Sequence, residues 1–128
     1  MPEKILIVDD EPDIVNLLDY HLTKEGYLTK TAQNGKEALD VAKDFQPDLV
    51  LLDLMMPEMD GFEFAEKLRE NMDWLDIPVV VITAKDLTSE DHNRLKGNVE
   101  AIMQKGSYSK KQLLSEVGER IKQLKKRS

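Results

Sequence analysis

The sequence predicts a single α/β domain in which helices cover both faces of a parallel β-sheet. Three short runs of Val, Ile and Leu, at residues 4–8, 48–52 and 78–82, are almost continuously apolar. Strands that are buried on both faces of a sheet have this pattern. Segments with the roughly 3.6-residue period of a helix lie between the runs, and strands that alternate with helices are typical of parallel sheets with right-handed crossovers.

Length and composition limit the classes of function. The chain has 128 residues, 41% of them hydrophobic, and no cysteine. We expect one domain over residues 1–128, without a disulfide framework, a thiolate metal site or a cysteine nucleophile. The net charge of −7 argues against a nucleic-acid-binding surface, which needs clustered Lys and Arg. Because no apolar run approaches the roughly 20 residues of a membrane span, we expect a cytoplasmic protein that does not contact a membrane.

The first helix and the second strand follow the first apolar run. The helix begins at Pro12, because proline is well tolerated in the first turn of a helix. Asp10 and Glu11 are candidate capping residues, and Gly26 ends the helix. Residues 27–32 place Tyr and Thr on one side and Leu, Lys and Ala on the other, which is typical of an edge strand.

The next three helices are predicted from their periodicity and their boundaries. The second covers residues 35–45 and is followed by Pro47, which favours a helix end. The third starts near Asp60 and carries apolar residues on one face as far as Met72. The fourth, around residues 89–96, has few strong apolar residues, so we expect it to have the lowest local stability.

The last strand and the last helix complete five β-α units. The strand candidate covers residues 99–103. The helix begins at Ser109, where Gln112 lies three residues further on, as in a capping box.

Six polar residues follow four of the predicted strands. In an open parallel sheet, ligands bind beyond the carboxyl ends of the strands, which all lie at one edge. If the first and third strands are neighbours, at least three carboxylates meet there beside a hydroxyl and an ammonium group. The six residues are Asp9, Asp10 and Glu11 after the first strand, Asp53 after the third, Thr83 after the fourth and Lys105 after the fifth.

This combination predicts a Mg²⁺ site that handles a phosphoryl group. Carboxylates that crowd together are costly to ionise, and a hard divalent cation with oxygen ligands relieves that cost. A carboxylate beside Mg²⁺ and a lysine is suited to attack phosphorus, because both cations neutralise charge on the phosphoryl oxygens. Each residue alone has a structural explanation, such as a helix cap or a surface lysine, but capping and solvation do not readily explain all of them at one edge.

At these residues the sequence resembles the receiver domain of two-component response regulators, over essentially its whole length. The resemblance implies a (βα)5 flavodoxin-like fold with five parallel strands in the order 2-1-3-4-5. The motifs that carry it are Ile5-Leu-Ile-Val-Asp-Asp-Glu11, Pro47-Asp-Leu-Val-Leu-Leu-Asp-Leu-Met-Met-Pro-Glu-Met-Asp-Gly61, Pro78-Val-Val-Val-Ile-Thr-Ala84 and Lys105.

The resemblance implies roles for the residues at the metal and the phosphoacceptor. Asp53 is expected to be the phosphoacceptor and to contribute to the Mg²⁺ site. Asp10 resembles the direct Mg²⁺ carboxylate, and Asp9 its partner in the acidic pair. Met55 is expected to offer its backbone carbonyl to the metal.

Further roles concern the phosphoryl group and its loss. Thr83 resembles the hydroxyl that switches position, and Lys105 the lysine that pairs with the phosphoryl group. In the family, the residues two positions beyond the phosphoacceptor and two beyond the threonine tune dephosphorylation. Here they are Met55 and Lys85.

The implied function is that of a phosphoacceptor module in a two-component phosphorelay. The expected donor is a histidine kinase or a histidine phosphotransfer domain, and the only chemistry is self-phosphorylation and autodephosphorylation on Asp53. Movement of Thr83 would shift the loop that leads into the fourth helix. We therefore expect a downstream protein partner to bind the fourth helix, fifth strand and fifth helix.

Two positions depart from the family pattern. An aromatic residue often lies three residues before the lysine, where this chain has Ile102, and proline commonly follows the lysine, where this chain has Gly106. Residues 103–109 resemble receiver domains attached to hybrid sensor kinases more than those that precede DNA-binding domains. A stand-alone receiver is the other possibility.

Three alternative functions remain open at this point. A phosphatase of the haloacid dehalogenase type would need a second Asp two residues after the nucleophile, where this chain has Met55. A flavin-binding module would need a Gly-, Ser- or Thr-rich turn after the first strand, where this chain has Asp9-Asp10-Glu11. A degenerate receiver would serve only as an interaction module.

Overall fold

Five strands alternate with five helices in the computed structural model, which describes residues 3–56 and 58–126. Positions 1–2, 57 and 127–128 of the predicted domain lie outside the described residues. The strands are β1 (Lys4–Val8), β2 (Leu28–Ala32), β3 (Leu49–Leu52), β4 (Val79–Thr83) and β5 (Ala101–Gln104). The helices are α1 (Pro12–Lys24), α2 (Gly35–Phe45), α3 (Gly61–Glu70), α4 (Ser89–Leu95) and α5 (Lys110–Lys126).

The strands form one parallel sheet in the order β2-β1-β3-β4-β5. This confirms the predicted fold class and strand order. The last residue of β1, Val8, is in register with Leu52 at the end of β3. The first and third strands are therefore neighbours, which is the condition for their acidic residues to meet.

Alternate residues of the central strands pack into two separate cores. Ile5 and Ile7 of β1 face α1 and α5, where they contact a cluster that includes Leu18 and Val117. Leu6 and Val8 point the other way, into a cluster with α2 and α3. Because both faces are covered, both sets of side chains are apolar, which explains the continuous apolar runs in the sequence.

Helix α4 is held mainly by one small apolar cluster. Leu95 is the buried residue of this helix, and it packs with Leu54, Phe62 and Val81. Arg94 adds a paired contact to Glu66 of α3, with N···O distances of 3.1 Å and 3.0 Å. The sparse apolar packing agrees with the prediction from sequence.

Several helix boundaries follow from side-chain caps. Ser109 and Gln112 form the predicted capping box at the start of α5, since each side chain accepts a hydrogen bond from the other residue's backbone N–H. Asp60 caps α3. The expectation that Met72 lies on the apolar face of this helix was wrong, because α3 ends at Glu70 and Asn71 caps a separate 3-10 turn. Met72 is 84% exposed.

The ends of β4 and β5 lie further along the chain than predicted. The predicted run ended at residue 82, whereas β4 extends to Thr83, and β5 covers Ala101–Gln104 instead of the predicted 99–103. Thr83 and Gln104 are in register. Among the described residues, no helix combines the length and apolar character needed to cross a bilayer.

Candidate functional site

The acidic residues after β1 and β3 are held side by side by the sheet. The backbone N–H of Asp9 donates to the carbonyl of Ala32 at the end of β2, with an N···O distance of 3.0 Å. The N–H of Asp53 donates to the carbonyl of Val8 at 2.8 Å. Each aspartate thus extends the hydrogen bonding of its strand by one residue, and both lie at the carboxyl edge of the sheet.

Three carboxylates converge at this edge. Asp9, Asp10 and Asp53 each have a carboxylate oxygen that lies within 4.8 Å of the corresponding oxygens of the other two. Asp9 is 3% exposed and Asp53 is 4% exposed, whereas Asp10 is open to solvent. Two buried carboxylates and one exposed carboxylate therefore lie together at the carboxyl edge of the sheet.

Lys105 supplies the positive charge that balances this cluster. Its ammonium nitrogen lies 2.9 Å from Oδ2 of Asp9, 3.3 Å from Oδ2 of Asp53 and 3.1 Å from Oε1 of Glu11. The lysine side chain is 10% exposed. Because a buried carboxylate without a partner is costly, this lysine stabilises both buried aspartates at once.

The charges of the cluster are coupled. Burial raises the pKa of Asp9 to about 6, against the lowering effects of Lys105 and of the backbone N–H of Glu11. Burial alone would lower the pKa of Lys105, but the hydrogen bond and charge of Asp9, together with the charge of Asp53, raise it above its ordinary value. The ammonium group therefore stays protonated at neutral pH.

The donor set fits a hard divalent cation. The oxygens of three carboxylates lie close enough to share one ion, and Mg²⁺ prefers oxygen ligands of this kind. Burial, and to a smaller extent the charge of Asp53, raises the pKa of Asp9, and a bound cation would favour its ionised form. Asp9, Asp10 and Asp53 are the residues that would hold Mg²⁺.

Met55 lies beside the cluster. Its backbone N–H donates to Oδ1 of Asp53, with an N···O distance of 3.3 Å, while the Met55 side chain is exposed. The role of its carbonyl as a metal ligand stays a prediction.

Thr83 ends β4 at the same edge of the sheet. It is fully buried, and its hydroxyl oxygen accepts a hydrogen bond from the backbone N–H of Lys85 at 3.2 Å. The ammonium group of Lys85 lies 3.1 Å from Asp91 in the first turn of α4. The hydroxyl is thus linked to the loop between β4 and α4.

All the residues of this site lie in a part of the chain that matches a known protein family. A family model described as the response regulator receiver domain matches residues 5–118. The chain belongs to this family. Receiver domains are the signalling modules of two-component systems, and this one has the acidic cluster that suits a phosphoacceptor aspartate and Mg²⁺.

Individual relatives of this receiver domain include a regulator and two solved structures. The alkaline phosphatase synthesis transcriptional regulatory protein PhoP of Bacillus subtilis is 48% identical over 86 residues, which are 67% of this chain and 35% of PhoP. The chain spans about a third of the length of the curated relatives it matches. The response regulator TrrA of Thermotoga maritima, solved in complex with Mg²⁺-BeF, is 34% identical over 95% of this chain and 98% of TrrA, with a TM-score of 0.80.

The second solved structure is the signal receiver domain of a histidine kinase from Syntrophus aciditrophicus. It is 32% identical over 91% of this chain and 88% of that one, with a TM-score of 0.77. Receivers from a transcriptional regulator and from a kinase therefore both resemble this chain. The preference for a hybrid-kinase type stays a prediction.

The contacts of two residues at the receiver site are not predicted from the sequence. Glu11 was interpreted as a capping residue, but it makes no side-chain cap at α1 and instead pairs with Lys105, 94 positions away. Gly61 packs directly on the backbone at the end of β3, since a Cβ there would lie 2.3 Å from the carbonyl oxygen of Asp53. The motifs quoted above contain both residues, but only the folded chain reveals these contacts.

Proposed function

We propose that this receiver domain accepts a phosphoryl group on Asp53 from the phosphohistidine of a histidine kinase or phosphotransfer protein. The observation that carries the proposal is the contact of 3.3 Å between the ammonium nitrogen of Lys105 and Oδ2 of Asp53, within a cluster of three carboxylates. The arrangement provides a nucleophile, a fixed cation and the ligands of a second cation at one edge of the sheet.

The transfer exchanges one bond to phosphorus for another. A carboxylate oxygen of Asp53 attacks phosphorus, a P–O bond forms, and the P–N bond to the imidazole breaks. The electron pair of that bond returns to the imidazole nitrogen, which takes up a proton from water. Lys105 neutralises charge on the phosphoryl oxygens, and Thr83 donates its hydroxyl hydrogen to one of them.

Mg²⁺ bound by Asp9, Asp10 and Asp53 would supply further positive charge to the phosphoryl oxygens. The carbonyl of Met55 is the proposed additional ligand. Asp9 is held in place by Lys105 and by the N–H of Glu11, which donates to its Oδ1 at 2.9 Å. Both contacts position this carboxylate before a cation binds.

Autodephosphorylation is the only further reaction we propose. Hydrolysis needs a water molecule at phosphorus, and a residue near that water would have to orient it. Met55 has no group that accepts a proton, and the ammonium group of Lys85 is engaged with Asp91. We therefore expect phospho-Asp53 to be lost slowly.

The proposed output surface comprises α4, β5 and α5. Thr83 is connected to α4 through the loop that contains Lys85, and α4 has sparse apolar packing. A shift of the hydroxyl towards a phosphoryl group would move this loop and change the surface offered to a protein partner. Because phosphohistidine donors are made from ATP, we propose the cytoplasm as the compartment.

Intact mass spectrometry tests the proposal. The protein is incubated with acetyl phosphate or phosphoramidate and Mg²⁺, and in parallel with a histidine kinase or phosphotransfer protein. We expect a gain of one phosphoryl group that disappears with EDTA and in Asp53→Asn. Failure to gain mass from every donor, or a gain that survives Asp53→Asn, would contradict it.

A further inference from the structure

The side chain of Gln104 joins the end of β5 to the loop that follows β4. Its amide nitrogen donates to the carbonyl oxygen of Lys85, with an N···O distance of 2.7 Å. Backbone pairing between the two strands ends at Thr83 and Gln104, and the chain then turns away at Lys105 into a 3-10 turn. The glutamine side chain therefore provides a hydrogen bond beyond the last pair of the sheet.

The same loop residue is bonded to the hydroxyl of Thr83. The backbone N–H of Lys85 donates to Oγ1 of Thr83 at 3.2 Å, so the N–H and the C=O of Lys85 are both engaged. A threonine hydroxyl has one hydrogen to donate and two lone pairs that accept. Because the loop occupies one lone pair, the hydroxyl hydrogen remains available for another acceptor.

We propose that Gln104 is a positioning residue for Thr83, which it orients through the backbone of Lys85. The inference rests on the proposed function, since the acceptor that Thr83 would meet is the phosphoryl group on Asp53. Three links form a closed ring: Thr83 is paired with Gln104 in the sheet, the Gln104 side chain binds the Lys85 carbonyl, and the Lys85 N–H binds the Thr83 hydroxyl. Loss of the Gln104 N–H donor breaks the hydrogen bond between β5 and the loop that follows β4.

The neighbouring side chain of β5 does not make this connection. Ile102 is partly buried and packs against an apolar cluster that contains Leu54 and Val81. It has no polar group with which to hold the carbonyl of Lys85. Gln104, two residues further along the strand, has that group and a bond of normal length.

Two variants distinguish the effect of the Gln104 N–H donor from the effect of the shape of its side chain. Gln104→Glu has nearly the same shape but, when ionised, has no hydrogen to donate to a carbonyl. Gln104→Leu removes polarity altogether. Gln123→Leu, on the exposed side of α5, is the matched control. In both Gln104 variants we expect faster hydrogen exchange of the Lys85 amide by NMR, and no change in Gln123→Leu.

The rate of phosphorylation from acetyl phosphate provides the second measurement. We expect Gln104→Leu to slow it roughly three- to tenfold, the effect of one net hydrogen bond, without a change in Mg²⁺ affinity. In a Thr83→Ala background, Gln104→Leu should have no further effect, because the group it positions is gone. A residue with only a structural role would slow both backgrounds equally.

The outcomes separate the two proposals. Unchanged exchange of the Lys85 amide in Gln104→Leu, an unchanged phosphorylation rate, or an undiminished effect in Thr83→Ala would overturn the role of Gln104. A wild-type protein that never gains a phosphoryl group would overturn the proposed function instead, and the exchange measurement would still decide whether Gln104 holds the loop.

Discussion

Gly61→Ala is the substitution that most directly tests the packing of helix α3 against Asp53 and Leu54, which follow β3. Gly61 is the first residue of α3, and its N–H donates to the carbonyl of Leu54 at 3.1 Å. An added Cβ would lie 2.3 Å from the carbonyl oxygen of Asp53 and 2.7 Å from Cα of Leu54. Both atoms belong to the backbone, so neither can move away as a flexible side chain would.

The expected cost follows from these distances. Relief of the contact with Asp53 requires a displacement of about 1 Å between α3 and the end of β3, and overpacking of this kind costs about 1–3 kcal/mol. Because the contacted atoms belong to the backbone, we expect Gly61→Ala to lower the free energy of unfolding by about 2 kcal/mol. This net value includes a small gain in helix propensity. For a domain of this length, such a decrease lowers Tm by roughly 8 °C.

Gly118→Ala is the matched control, because it is the same change in a helix with open space around it. An added Cβ at Gly118 would meet nothing within 4 Å, and alanine in a helix interior is more stable than glycine by about 0.5–1 kcal/mol. Urea unfolding followed by circular dichroism should show Gly61→Ala destabilised and Gly118→Ala stabilised. At a temperature where both are folded, Gly61→Ala alone should be phosphorylated more slowly.

A Gly61→Ala protein as stable as the wild type would contradict the predicted strain. A shift of Tm in the same direction for both glycine variants would also contradict it, because the effect would then reflect helix propensity rather than the contact with Asp53. Normal stability with slow phosphorylation would likewise contradict the predicted strain on the fold.

Three further changes have expected outcomes. Lys105→Met leaves the buried carboxylates of Asp9 and Asp53 without their cation. Urea unfolding should therefore show a free energy of unfolding that is lower by about 3 kcal/mol, and a decrease of less than about 1 kcal/mol would contradict the pairing. With EDTA present, the contribution of Asp9 to the free energy of unfolding should fall by up to about 3 kcal/mol as pH rises from about 4 to 6, because burial raises its pKa to about 6 and favours the protonated form. The difference between the wild-type and Asp9→Asn pH profiles should show this fall, and identical profiles would count against it. Ser109→Ala should lower the free energy of unfolding by about 1 kcal/mol through loss of the cap on α5. Thermal unfolding should show this loss, whereas the control Ser115→Ala, inside the same helix, should be as stable as the wild type or slightly more so because alanine favours helix.

Local features determined the order of elements and the identity of the chemical groups. Helix α2 covers Gly35–Phe45, as predicted, because its apolar period and its ends are encoded by nearby residues. The acidic residues after β1 and β3 were recognised because each follows a buried strand directly. Hydrophobic periodicity and capping act over a few positions, so a single sequence shows them.

Tertiary structure alone decided how those groups are paired. Glu11 is a plausible cap by position, yet its carboxylate reaches Lys105 from the other end of the chain. Gln104 reaches Lys85 because the strand order makes β4 and β5 neighbours, and Gly61 meets Asp53 because the start of α3 packs back onto the end of β3. These contacts depend on how separate elements pack in the folded chain, and no pattern of a few neighbouring residues encodes that packing.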